Sequence, residues 1–358
     1  MPRSFRKAFV LAAFGLALGT AAPVWAVEGE EARGTGSSAP APDPATPPTD
    51  DEEATVADDA THLEALAFPG VRYRDAVRLH FQSRFVPDAH LGPGHASLYR
   101  PDLRGRVTIP VSERAVLRVS ARGGMGRYEY RGPDLFFDDS LDLYQTRLAV
   151  QGAYRLNDAD QRLLRPGERW SLLASLQGGS DFESGAFDDG LSGGGDLALG
   201  YEIPGTLRVA AGASITVQDG GVDVGPTGFL RWNVSEAVTL RNRGLGLQLE
   251  YRWSPRLELF VSGFRSTDTY ALDTVGSGVF PGIGLVPPVA VDDLVLRDRM
   301  LLSGAGFEWK LSQHLRLNTE AGVVAWRRLR VASDDFGTLI SRRGDPSLYV
   351  EVRFEVRP

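Results

Sequence analysis

A membrane-spanning antiparallel up-and-down β-barrel is the fold class this sequence predicts, and three observations predict it. The first is alternation. In the closing segment Leu348-Tyr-Val-Glu-Val-Arg-Phe-Glu-Val-Arg-Pro358, Leu348, Val350, Val352, Phe354 and Val356 share one face, and Tyr349, Glu351, Arg353, Glu355 and Arg357 share the other. Successive side chains on a strand point to opposite faces, so this is a strand with one oily and one charged surface. The pattern recurs in segment after segment back to residue 76. The second observation is a secretion signal ahead of these strands, and the third is a set of aromatic residues at the strand ends.

Residues 1–26 carry the signal: Arg3, Arg6 and Lys7 form a positive start, Ala8 to Gly19 an apolar centre, and Val24-Trp25-Ala26 a small-residue cleavage site. The apolar stretch is too short to span a bilayer as a helix. With no cysteine in the chain, lipoprotein anchoring, disulfides and thiol chemistry are excluded. Residues 27–70 are rich in Ala, Pro, Thr, Asp and Glu, as in Pro44-Ala-Thr-Pro-Pro-Thr-Asp-Asp-Glu-Glu53. Such a stretch buries too little apolar surface to offset the entropy of ordering it, and a disordered periplasmic tail is expected. From Glu28 to Asp75 there are 12 acidic residues against three basic ones, Arg33, Arg72 and Arg74. The signal carries three more basic residues, so of 39 basic and 46 acidic residues in the chain the remainder keeps 33 and 34. The net charge of −7 therefore belongs to the tail, and residues 71–358 form a barrel that is nearly neutral. No basic patch points to nucleic acid.

The strands follow in order from a repeated turn. Val111-Ser-Glu-Arg-Ala-Val-Leu117, Val234-Ser-Glu-Ala-Val-Thr-Leu240, Trp253-Ser-Pro-Arg-Leu-Glu-Leu259 and Leu311-Ser-Gln-His-Leu-Arg-Leu317 share one form, and Ile203-Pro-Gly-Thr-Leu207 is a fifth short reversal. Serine at the first corner can bond the backbone two or three residues on, which closes a tight turn. Short turns on one side and longer Gly- and Asp-rich loops on the other is the outer-membrane plan, with the turns periplasmic. The predicted strands are 76–86, 102–111, 115–128, 141–156, 169–181, 195–203, 207–218, 224–234, 237–242, 245–253, 257–268, 299–311, 315–327 and 346–357, which makes 14. The oily parity slips near Asn242-Arg243-Gly244, which predicts a tight outer turn there and brackets the count between 12 and 16.

Aromatic placement follows from these strands. Trp170 opens an upward strand and Trp232, Trp253 and Trp309 close downward ones, so all four fall at the periplasmic end with the parity of the oily face; Tyr154, Tyr201 and Phe354 do the same. Phe85, Tyr144 and Phe182 mark the outer edge. Tyr144 and Tyr154 are ten residues apart, roughly 33 Å along a strand and about 25 Å across the bilayer once tilted, the height of an apolar band.

The opposite parity predicts the lumen: Arg78, Arg104, Arg106, Arg118, Arg122, Arg147 and Arg208, with Glu250, Glu308 and Glu320 on later strands. Such a lining either biases a water-filled pore toward anions or interlocks as an Arg–Glu ladder that fills the space. The apolar segment Val279-Phe-Pro-Gly-Ile-Gly-Leu-Val-Pro-Pro-Val289, in an outer loop spanning about residues 269–298, either folds into the mouth, binds an apolar ligand or packs on the rim. The aspartate pairs 138–139, 188–189, 292–293 and 334–335 fall in outer loops without the spacing of a calcium loop, so no metal and no cofactor is assigned. The five histidines are His62, His80, His90, His95 and His314; no HExxH, phosphate loop or nucleotide fingerprint accompanies them. A catalytic reading needs one of His80, His90 or His95 within hydrogen-bond reach of a carboxylate or serine in a cleft.

Trp253-Ser-Pro-Arg-Leu-Glu-Leu-Phe260, Phe307-Glu-Trp-Lys-Leu-Ser-Gln-His-Leu-Arg-Leu317 and the closing strand make residues 76–358 resemble uncharacterised Gram-negative outer-membrane β-barrel proteins of porin or transporter architecture. The resemblance implies outer-membrane lipid, lipopolysaccharide and the barrel assembly machinery as partners, and it transfers no site residues. A passive channel for small solutes in the outer membrane ranks first, a structural or surface-interaction barrel with a closed lumen second, and a barrel enzyme a distant third.

Overall fold

The computed structural model describes residues 77–92, 94–131, 140–156, 169–218, 221–272, 294–333 and 337–357. The signal, the acidic tail, the apolar segment 279–289 and the aspartate pairs at 138, 292 and 334 lie outside them. The described residues form β1 (Val77–Leu91), β2 (Gly94–Pro110), β3 (Ala115–Arg131), β4 (Ser140–Arg155), β5 (Arg169–Glu183), β6 (Leu191–Ile203), β7 (Leu207–Gln218), β8 (Gly221–Asn233), β9 (Val238–Asn242), β10 (Leu245–Arg252), β11 (Leu257–Leu272), β12 (Leu294–Lys310), β13 (Leu315–Ser333), β14 (Gly337–Gly344) and β15 (Ser347–Val356). Each strand from β1 to β13 pairs antiparallel with the next, and the ring closes through β1 with β15 and β13 with β15. β14 and β15 occupy one position: β14 continues the line of β15 between β13 and β1, interrupted only at Asp345-Pro346, where proline supplies no N–H. The wall therefore has 14 staves, as the turn repeat predicts. No helix among the described residues is long and apolar enough to cross a membrane.

The repeated turn closes as its sequence implies. Ser112 Oγ accepts from Arg114 N at 3.2 Å, and Ser235 Oγ from Ala237 N at 3.3 Å. Ser254 Oγ accepts from Arg256 N and Leu257 N at 3.2 and 3.0 Å, and Ser312 Oγ from His314 N and Leu315 N at 3.1 and 3.0 Å. The fifth turn uses Gly205 at φ 76°, and the Asn242-Arg243-Gly244 reversal uses Gly244 at φ 52°, both in the left-handed region that L side chains disfavour. All the serine turns share one end of the barrel.

The strands are longer than the sequence predicts, and the additions lie at the loop end. β1 runs to Leu91, β2 starts at Gly94, β11 reaches Leu272, β12 starts at Leu294 and β13 reaches Ser333. His90 and His95 are thus paired strand residues, not loop residues, and both flanks of the predicted loop 269–298 are strand. The polarity of the wall inverts along these additions. Near the turn end Leu79, Phe81, Leu103, Leu148, Leu176 and Leu197 are exposed on the outside, the surface expected against lipid. Beyond Phe85, Tyr99 and Tyr144 the outward positions become Arg127 and Glu129, 47% and 51% exposed, while Leu98, Tyr128, Leu143, Tyr270, Leu296 and Met300 turn inward and are buried. A strand leaving the bilayer meets water outside, so its oily face is driven into the barrel. Register irregularities at Val86/Ala89 and Leu301/Leu302 fall in this region, where bulges re-aim side chains.

The result is a continuous apolar core across the loop-end lumen, contributed by β1, β2, β3, β4, β11, β12, β13 and β15. At the rim Ala271 of β11 pairs with Phe182 of β5, so the loop-end circumference bypasses the shorter β6–β10. Trp170, Trp232, Trp253, Trp309, Tyr154, Tyr201 and Phe354 all sit at the turn end. Trp170 packs on Tyr201 with ring centroids 4.9 Å apart, and Trp232, Trp253, Trp309, Tyr154 and Phe354 are exposed on the outside.

Candidate functional site

The lumen has two halves of opposite character. Its turn-end half contains a chamber of about 460 Å³ lined by fourteen arginines and five carboxylates. β1, β2 and β3 place like charges in direct register: Arg78 opposite Arg106, and Arg104 opposite Arg122. Facing like charges oppose sheet formation unless anions compensate them. Some compensation is built in. Asp102 accepts from Arg122, Arg78 lies 3.5 Å from Glu355, and Arg316 donates to Glu308 at 2.7 Å. Arg118 is buried and donates through Nε to Thr108 Oγ1 at 3.3 Å, while its Nη1 has no hydrogen-bond partner.

The outer boundary of the chamber is a belt of ion pairs that crosses the barrel. Arg243, at the tip of the β9–β10 hairpin, reaches to β13 and β15, where it donates to Glu320 and, at 2.7 Å, to Glu351. Its guanidinium lies 4.1 Å from the centroid of Phe264. Arg84 donates to Glu351 at 2.9 Å and to Ser266 of β11 at 3.3 Å; Tyr349 and Ser262 donate to Glu320 at 2.5 and 2.6 Å. Arg100 donates to Asp268 and, at 2.9 Å, to Gln145. Beyond the belt lies the apolar core, in which Asp298 accepts from Arg327 Nε and Nη2 at 3.1 and 2.8 Å and from Tyr128 OH, on the opposite wall, at 3.1 Å. Wetting only Tyr128, Tyr270, Leu296 and Met300 would cost about 1.5–3 kcal/mol each. That sum is of the order of a domain's whole stability.

Of the residues the sequence assigns to the lumen, Arg78, Arg104, Arg106, Arg118, Arg122, Arg208, Glu250 and Glu308 line the chamber. Arg147 is inside the wall on Asp181 at 3.1 Å, and Glu320 is sealed into the belt. Sequence reasoning missed Arg100, Arg231, Arg241 and Arg243, which also line the chamber. Parity alone would have found Arg231, between outward-facing Leu230 and Trp232; nothing in the sequence says that the Arg243 turn folds across the lumen. The side chains of Phe229, Ala210, Ala198, Leu173, Ala153 and Val116 make one apolar strip on the inner face of β3–β8.

The four described histidines fall at three separate places. His80 Nε2 lies 3.0 Å from Arg106 Nη2, a cationic neighbour and not a carboxylate. His90 and His95 pack at the β1–β2 reversal with ring centroids 4.0 Å apart and the rings tilted by 46°; His95 is half-buried, and its Nδ1 is 3.5 Å from Asp88 Oδ2 without hydrogen-bond geometry. His314 caps the last serine turn through the Arg357 carbonyl at 2.7 Å. No cluster of three metal-ligating side chains occurs among the described residues.

With its oily belt, tryptophans gathered at the turn end and closed ring of staves, the architecture is settled by its own geometry. The chain is an outer-membrane β-barrel. No protein-family model matches it, and no curated protein matches it. Among solved structures it is similar to the translocator domain of the autotransporter NalP from Neisseria meningitidis, at 14% identity over 83% of this chain and 92% of that one, with a TM-score of 0.31. It is likewise similar to an outer membrane channel from Pseudomonas putida F1, at 12% identity over 78% and 93% and a TM-score of 0.38. A Pseudomonas aeruginosa FadL homologue aligns at 10% identity over 78% and 89%, with a TM-score of 0.36.

Proposed function

We propose that this outer-membrane barrel captures small anionic solutes in the chamber at its turn end, and that it is a closed barrel rather than a standing pore. The observation that carries the reading is the pairing of an arginine-rich chamber with a loop-end lumen filled by buried apolar side chains. Guanidinium groups converging in a confined, low-dielectric space bind carboxylates and phosphates through short charge-assisted bonds. Passage outward would require the belt and the core to part, which separates this reading from the passive channel that the sequence favoured. A purely structural barrel is the second reading, favoured by the ion pairs that already span the lumen.

The test has two arms. Purified full-length protein in a planar bilayer is expected to give no basal conductance, and steady conductance would overturn the closed state. Calorimetric titration with pyrophosphate at low salt is expected to show binding that weakens at high salt and falls at least tenfold when Arg104, Arg106 and Arg118 are replaced by Gln. Binding that is indifferent to those replacements would leave only the structural barrel.

A further inference from the structure

We infer that the chamber has a tethered occupant: the acidic segment 50–59 of this same chain. The inference rests on the reading of the chamber as an anion site and names what fills it. Asp50, Asp51, Glu52, Glu53, Asp58 and Asp59 place six carboxylates within ten residues, with no basic residue among them. The chamber holds the complementary charge. Of its fourteen arginines, Arg84, Arg243 and Arg353 bond Glu351 or Glu320, Arg100 bonds Asp268 and Arg208 bonds Glu202, all carboxylates behind the lining, and five carboxylates line the chamber with the other nine arginines.

Connectivity puts the two together. β1 starts at Val77, and Arg78, the next residue, already lines the chamber, so the preceding chain joins the barrel at the chamber's mouth. Seventeen residues lie between Asp59 and Val77. Treated as a random coil, a chain of that length has a root-mean-square span of about 23 Å. The chamber extends from Arg78 to Arg84, six residues or about 20 Å along β1. Span and depth match, which is the condition for the highest effective concentration, in the millimolar range for a short flexible tether. Within the chamber, buried Arg118 Nη1 presents a donor without an acceptor, suited to an incoming carboxylate. A millimolar tethered competitor would hold the chamber against weakly binding free anions and yield to concentrated or more highly charged ones.

The chain contains no cysteine, so a single thiol introduced by Ala54→Cys reports on the segment in the full-length protein. Its rate of modification by a bulky maleimide polymer in detergent is expected to be at least tenfold slower at low salt than at high salt. Added pyrophosphate should accelerate it, and so should Arg104→Gln, Arg106→Gln and Arg118→Gln together. In parallel, replacing the six acidic residues by their amides, which touches no barrel residue, should tighten pyrophosphate binding at least tenfold. If modification is insensitive to salt and to pyrophosphate while calorimetry still reports arginine-dependent binding, the tail does not occupy the chamber, although the anion site stands. Protection that survives loss of the three arginines would place the segment elsewhere and overturn the inference. Should pyrophosphate bind neither the native chain nor the amide variant, the chamber reading fails and takes the tethered occupant with it.

Discussion

Replacing Asp298 by Asn probes whether the loop-end lumen is a dry core. Asp298 is 0% exposed and Arg327 1%, and their two hydrogen bonds are joined by a third from Tyr128 across the barrel. Asparagine preserves the shape and one acceptor but removes the carboxylate bonded to Arg327, whose Nη1 lacks a partner among the described residues. A buried cation stripped of its counter-charge costs about 3–5 kcal/mol. That corresponds to roughly a 150-fold to 5,000-fold shift of the folding equilibrium. The companion variant is Asp298→Leu with Arg327→Met and Tyr128→Phe, which removes the charges and the hydroxyl together. Replacing a buried pair by apolar residues of similar volume is neutral or stabilises by about 1–4 kcal/mol, so the triple variant should match or exceed the native protein. Urea unfolding from phospholipid vesicles, followed by tryptophan emission, measures both. A loss of less than about 1 kcal/mol for Asp298→Asn would mean that water reaches Arg327 and solvates it. Equal losses for the single and the triple variant would show that the site tolerates no repacking, and either result would refute the sealed core.

Three other substitutions test other parts of the architecture. Leu176, 72% exposed on β5, lies on the lipid face, and Leu176→Arg should cost about 2–4 kcal/mol in the same unfolding assay; Ser97→Arg, opposite Glu129 beyond the aromatic edge, should change stability by less than about 0.5 kcal/mol. A Cβ at Gly304 would come within 2.4 Å of the Tyr349 hydroxyl and 2.9 Å of the Ala321 carbonyl, whereas one at Gly123 meets nothing within 4 Å. Gly304→Ala should therefore lose about 1–3 kcal/mol through overpacking while Gly123→Ala stays near native, as thermal gel-shift midpoints would register. Ser254→Ala removes the acceptor of two backbone N–H groups at the β10–β11 turn and should cost about 1 kcal/mol in the unfolding assay, with no effect on anion binding, since the turn lies outside the chamber lining.

The sequence by itself determined the membrane-spanning part of this protein. Period-two alternation marks a strand wherever lipid and lumen impose opposite polarity on its faces, so the parity of Leu79 against Arg78 or Leu257 against Glu258 was legible at once. The serine corners announced the turns because their hydroxyls act on residues only two or three positions away. Both signals are local. The loop-end extension was not legible because the alternation there continues with its meaning reversed: Leu294, Leu296, Met300 and Leu302 face inward, and Arg297 and Arg299 face out. With lipid outside, that pattern reads as a loop; with water outside, it is a core. The state of the lumen was equally beyond the sequence, since parity puts Glu320 and Glu351 inside a barrel without saying that the Arg243 turn reaches them. Only the tertiary structure carries the β9–β10 tip across to the far wall, and that crossing, set by the shortness of two strands of five and eight residues, separates the cationic chamber from the sealed half.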